Sequence, residues 1–223
     1  MAQEFDNSGW ELGCIHESDQ AMTGFLLRAG TEADIATLLE VERRAAALLL
    51  NHGAYDLFAM HSLSPQDLIN GIAHGMLCVA ELDGQVVGFA LCGELDDHMH
   101  LFEMNVLPEH GRRGIGSALL ESVCESAAAR GLSAMTLTTL RDVTWNAPFY
   151  AARGFEEMVK SSWGPELSKL VARERMLGFP MELRVVMRRG LFLLPPGEEP
   201  APYLIRGARR ADEGMDYQLI KLP

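Results

Sequence analysis

A glycine-bearing bend constrains this chain more than any other feature: His110-Gly111-Arg112-Arg113-Gly114-Ile115-Gly116-Ser117, set between a strand-like run and a well-patterned helix. Upstream, Met99 to Leu107 reads as a strand. Downstream, Ile115, Leu119, Val123 and Ala127 recur every four residues, and Gly131 closes the helix. Glycines at such a junction let the backbone turn tightly and approach a ligand, and the free N–H groups of the first helical turn can bind an oxyanion. Arg112 and Arg113 add positive charge beside those amides. A plain strand-to-helix turn with glycines for geometry remains an alternative. A Walker loop is excluded because no Gly-Lys-Ser/Thr follows, and a dinucleotide fingerprint because its third glycine would fall on Leu119.

The surrounding pattern is that of a mixed sheet. Phe25 to Arg28 reads as a strand, and Thr31 with Asp34 as a capping-box start to a helix through Ile35, Leu38, Leu39, Ala45 and Leu49. Ser64-Pro65 opens a second helix that Gly75 ends. Met76–Leu82 and Gln85–Leu91 flank Asp83-Gly84, a dipeptide suited to a type I′ hairpin turn. Ala134 to Leu140 is a further strand, Asn146 to Arg153 a short helix closed by Gly154, Glu166 to Arg175 a polar helix, and Glu182 to Met187 a late strand. Antiparallel strands followed by a strand-helix-strand crossover predict an α/β (α+β) fold with a mixed, mostly antiparallel sheet and helices on both faces.

The chain has 223 residues, 48% of them hydrophobic, which suits one sizeable domain and excludes wholesale disorder. Residues 1–23 read as a flexible lead-in, 24–193 as the domain, and 194–223 as a Pro-rich linker and tail that either docks, for example through Tyr203, Leu204 and Ile205, or is loose. The formal net charge of -12 makes non-specific nucleic-acid binding a poor expectation, and it can attract cationic substrates, although acidity for solubility accounts for it as well. The four cysteines have no close spacing, so Cys78, Cys92 and Cys124 read as small core residues. No apolar leader or membrane-length run is seen, and a cytoplasmic location is expected.

At the bend the sequence resembles the GNAT superfamily of N-acetyltransferases. That superfamily's pyrophosphate loop reads Arg/Gln-x-x-Gly-x-Gly/Ala after the fourth core strand; Gly114 and Gly116 match both glycines, while Gly111 stands where Arg or Gln is usual. A second stretch, Asn146-Ala147-Pro148-Phe149-Tyr150 through Gly154-Phe155, resembles the family's Asn-x-x-x-Tyr-x-x-x-Gly-Phe segment. The resemblance covers roughly residues 24–190. It implies an acetyl-coenzyme A co-substrate held by Gly111, Arg112, Arg113, Gly114, Ile115, Gly116 and Ser117, by the strand amides near Met104 and Val106, and by Asn146, with no metal. It also implies acetyl transfer to a primary amine by direct attack in a ternary complex; a non-catalytic acyl-coenzyme A sensor is the alternative. A longer acyl donor also stays open. On the partner side the expectations are a small-molecule amine or peptide amine acceptor and a homodimer, with neither nucleic acid nor membrane.

Amine acetylation needs a neutral amine, and alkyl amines titrate near ~10.4, so a base must take the proton. Glu103 is the candidate base, on a strand where Phe102, Met104 and Val106 should point to the opposite face and where burial would raise its pKa. A strand carboxylate paired with a cation or facing solvent is the competing reading. Tyr150 matches the family tyrosine near the thioester sulfur and is the candidate acid; a packing tyrosine is the alternative. Asn146 reads also as an N-cap. His98, His100 and His110 read as exposed histidines, Trp145 as a packing residue, and the Glu166–Arg175 helix as a solvated face. Acceptor choice is expected to lie around Ala45 to Ser64, including His52 and His61.

Overall fold

The computed structural model describes residues 24–191 and, beyond them, the backbone of two strands. The expected lead-in and the Pro-rich linker lie outside the described residues. A seven-stranded sheet in the order β1-β2-β3-β4-β5-β7-β6 organises the domain. Its strands are β1 (Leu26–Ala29), β2 (Leu77–Leu82), β3 (Gln85–Leu95), β4 (His98–Val106), β5 (Ala134–Leu140), β6 (Glu156–Glu157) and β7 (Arg184–Gly190). Only β4 and β5 run parallel; every other pairing in this sheet is antiparallel.

Among the described residues six α-helices accompany it: α1 (Ile35–Ala46), α2 (Tyr55–Met60), α3 (Pro65–Ala73), α4 (Ile115–Ala129), α5 (Ala147–Ala151) and α6 (Pro165–Met176). One sheet face carries α1, α3 and α6: the Leu91 side chain fills the space beside Gly71 of α3, and Val186 packs with Leu167 and Val171 of α6. The other face carries α4, whose Cys124 touches Met135. Phe89, Leu119, Met135 and Leu137 are among the fully buried side chains of the core, and Cys78, Cys92 and Cys124 are buried as expected.

The turns follow their chemistry. Asp83 and Gly84 both have positive φ, as a type I′ hairpin requires. Asp96 and Asp97, also at positive φ, turn β3 into β4. From that turn the Asp96 carboxylate accepts the Glu166 and Leu167 N–H groups, each at 2.8 Å, and so caps α6. Thr31 and Asp34 form the expected reciprocal cap, although the first turn is a 3₁₀ helix before α1 begins at Ile35.

Helix α2 occupies a stretch to which no element was assigned from sequence; its Phe58 ring packs edge-on against Phe179. Three readings are corrected. Glu174 of α6 is half-buried rather than solvated, with the Arg184 guanidinium on it. His100 is 1% exposed, and its Nδ1 lies 2.9 Å from the Thr136 hydroxyl. Trp145 is exposed instead of packed. The tail contains an unforeseen hairpin, β8 (Tyr203–Arg209) paired antiparallel with β9 (Met215–Lys221). No helix among the described residues is long and apolar enough to cross a membrane.

The Thr31 cap is reinforced by Arg28, which donates to both Asp34 carboxylate oxygens at 2.8 Å and to Glu81. That guanidinium holds the Asp34 pKa down to about 2. A depressed carboxylate stabilises above its unfolded pKa of about 3.9, and the stabilisation is lost as pH falls through the folded value. Asp34→Asn should therefore cost about 2 kcal/mol at pH 7 in urea unfolding, with the gap to wild type closing between about pH 4 and pH 2.

Candidate functional site

Strands β4 and β5 pair through three residues only: Met99 with Met135, His100 with Thr136, and Leu101 with Leu137. From Phe102 onward the β5 side of β4 has no strand partner among the described residues, while its other side continues on β3 as far as Val106 opposite Gly88. The two parallel strands thus part in mid-sheet and leave backbone polar groups of β4 available to a ligand.

A β-bulge lies at the same place. Leu91 pairs with Glu103 but Cys92 pairs with Leu101, so Phe102 is the extra residue. The alternation expected from sequence breaks here. The Phe102 ring lies where a Cβ on Gly93 would stand and packs on His100 at 5.0 Å, on the same face as Leu91. Phe102 therefore shares the α1 face with Glu103 instead of opposing it. Met104 and Val106 do take the other face, where they approach Gly116.

That other face holds the glycine bend. Arg112 (φ 57) and Gly114 (φ 82) are both left-handed, and Gly114 is the N-cap of α4. No side chain caps α4, and its first turn carries no acid, so its leading N–H groups and positive dipole end are free for an anion. A Cβ on Gly116 would meet no protein atom closer than 3.8 Å, from Phe149, with Val106 and Met104 just beyond. Packing alone does not ask for glycine there, whereas close approach of a ligand does. Ile115 turns its side chain into the core, 1% exposed, and so can offer only its backbone. Ser117 accepts from the Arg153 guanidinium, which also lies 3.7 Å over the Phe149 ring and thereby ties α4 to α5. Arg113 reaches His110 at 3.1 Å.

Tyr150 and Asn146 sit at α5. Tyr150 is buried between Phe149 and Phe155, and burial pushes its phenol well above the ordinary tyrosine value, with the nearby Glu103 charge adding to the rise. The phenol thus stays protonated. Asn146 occupies the N-cap position, but its side chain makes no cap bond, which corrects the capping reading.

Glu103 is half-buried and accepts a 2.9 Å bond from Asn105. Its pKa rises to about 7, chiefly through burial and then through the Glu42 carboxylate; Asn105 and Arg184 pull it the other way. Among the described residues no cation forms an ion pair with Glu103. The α1 face beside it carries residues that sequence reasoning missed. Arg184 is spent on Glu174 and the Thr138 hydroxyl, and Phe58, Phe179 and His61 line its flank. His52, in the expected acceptor region, instead bonds Asp142 and the Ala54 N–H. Glu42 left a faint trace in sequence, as a charged residue within the Leu38-Val41-Ala45 stripe.

Residues 42–155 match the family model of the acetyltransferase (GNAT) family. The chain belongs to the GNAT acetyltransferase family. Solved structures of this family share the fold at low identity. The N-acetylglutamate synthase of Neisseria gonorrhoeae, solved with coenzyme A and N-acetyl-glutamate, is 20% identical at a TM-score of 0.58, with 75% of this chain and 35% of that one covered. A PaiA N-acetyltransferase from Thermoplasma acidophilum, in complex with coenzyme A, is 17% identical at a TM-score of 0.57, over 75% and 99% of the two chains. The ribosomal-protein-S18-alanine N-acetyltransferase of Escherichia coli is 16% identical at 0.54, over 78% and 98%.

The two bend glycines should separate in stability measurements. Gly114→Ala forces a side chain into left-handed backbone and should cost about 1 kcal/mol in urea unfolding. Gly116→Ala, in a helical turn with room for a methyl group, should be neutral or stabilising by up to about 1 kcal/mol.

Proposed function

We propose that this GNAT enzyme transfers an acetyl group from acetyl-coenzyme A to a primary amine by direct attack within a ternary complex. One observation carries the reading. The strands part where two protonatable groups of opposite task converge: Glu103, poised near neutrality, and Tyr150, held protonated beside it. Support for the co-substrate comes from the uncapped α4 N-terminus with Arg112 and Arg113, and from the related folds solved with coenzyme A.

The pyrophosphate would lie on the backbone N–H groups from Gly111 to Ser117. The pantetheine arm would enter between β4 and β5 along Met104 and Val106, within reach of Asn146. The amine arrives from the α1 face. Glu103 takes its proton, the nitrogen attacks the thioester carbonyl carbon, the new C–N bond forms and the C–S bond breaks. Tyr150 donates its phenolic proton to the departing thiolate, and exchange of protons with solvent restores both groups. A base with a pKa near 7 is half ionised at cellular pH, which balances availability against proton affinity. A small-molecule amine or a peptide amine would suit this arrangement, and the related proteins include one that acts on the alanine of a ribosomal protein.

Thiol release should be followed with a mixed panel of alkyl, amino-acid and peptide amines as acceptors. kcat/KM should rise with pH through about 7, because the base works only when deprotonated. Glu103→Gln should remove that rise and cut turnover by about 10²- to 10⁴-fold, and Tyr150→Phe should cut turnover with little change in coenzyme A affinity by calorimetry. Tight coenzyme binding with no amine ever acetylated would instead mark a sensor.

A further inference from the structure

Two half-buried carboxylates share the α1 face without an ion-pair partner among the described residues: Glu103 on β4 and Glu42 on α1. Most neighbouring acids are matched: Asp34 with Arg28, Glu40 with Arg43, Glu109 with Arg44 and Glu174 with Arg184. Helix α1 packs across β3 and β4. Both Glu42 oxygens accept the Leu63 N–H, at 2.9 and 3.2 Å, so the carboxylate is pinned by backbone. Leu63 directly precedes Ser64, the cap of α3, and follows the segment that bears His61.

We propose that Glu42 is a positioning residue of the reaction, a second carboxylate that the Leu63 amide fixes on the acceptor face and that acts through Glu103 by like-charge repulsion. The inference rests on the reading of Glu103 as the base. A pinned negative charge makes Glu103 hold a proton more tightly, and so take one from an arriving ammonium more readily. The two groups then titrate as a pair. The remaining groups facing Glu103 are Asn105 on its own strand, Arg184 from β7 and Tyr150 from α5; Asp67 from α3 faces Glu42. Arg184 is the one cation among them, and its engagement with Glu174 and Thr138 keeps it from neutralising either carboxylate. Burial lifts both carboxyl groups; the Glu42 charge lifts Glu103 further, and the Asp67 charge lifts Glu42.

The competing role for Glu42 is anchoring the Leu63 segment alone. Glu42→Gln separates the two, because the amide oxygen can still accept the Leu63 N–H while the charge is gone. The full chain labelled with ¹³C at the glutamate side-chain carboxyl is titrated by NMR without ligand, and Glu103→Gln assigns the Glu103 signal. In Glu42→Gln the Glu103 midpoint should fall by about one pH unit while the melting temperature stays near that of wild type. An unmoved midpoint would reduce Glu42 to an anchor. Wild-type protein supplies a check that no folding defect can obscure: coupled carboxyls titrate in two steps seen at both signals, whereas two independent single-step curves overturn the proposal. Failure of the base assignment shows elsewhere, as undiminished turnover in Glu103→Gln, and leaves the titration result standing.

Discussion

The arrangement depends on how briefly β4 and β5 pair. Three residue pairs join them as neighbours in a continuous sheet, and then they diverge. Two parallel strands that stayed together would satisfy each other's backbone and close the sheet to any ligand. Parting exposes the edge of β4 in the middle of the domain, where an N–H or C=O without a partner is costly unless something polar comes to it. The bulge at Phe102 accompanies the divergence, and bulges commonly re-aim side chains next to active sites. Here it turns Phe102 and Glu103 to one face and leaves Met104 and Val106 on the other, beside the glycine bend. A single irregularity thereby gives the two faces different chemistry, carboxylates on one and the glycine bend on the other.

Electrostatics follow from that division. On the α4 side, a helix N-terminus without an acidic cap and two arginines make a place for anions. On the α1 side, Glu103 and Glu42 are left unneutralised while Arg184 is locked to Glu174 and Thr138. His100 shows how strongly burial acts there. It is pushed down to about 3, first by desolvation and then by Arg184, so it remains neutral and serves to join β4 to β5 through Thr136.

Much of the fold was legible from sequence because its signals are local. Asp83-Gly84 dictates a positive-φ turn, Ser64-Pro65 starts a helix, and the four-residue spacing from Ile115 to Ala127 produces a buried helical face. The bend was legible for the same reason, since glycine at a strand-to-helix junction states its geometry directly. The errors arose where partners are distant in sequence. Phe102 reads as an alternating strand residue until Leu91 and Cys92 reveal the bulge. Glu174 reads as one charge among many in α6 until Arg184 of β7 covers it. His100 reads as exposed until Thr136 receives it.

Sequence alone therefore determined most of the element order, the mixed sheet and the left-handed glycine bend ahead of α4, because backbone propensity, hydrophobic period and glycine conformation act over a few neighbouring positions. Tertiary structure alone decided that β4 and β5 separate, that the Glu103 charge is felt by Tyr150, and that Glu42 of α1 is felt by Glu103. A pKa depends on which charges and how much protein surround a group, and those surroundings are assembled from residues dozens of positions apart.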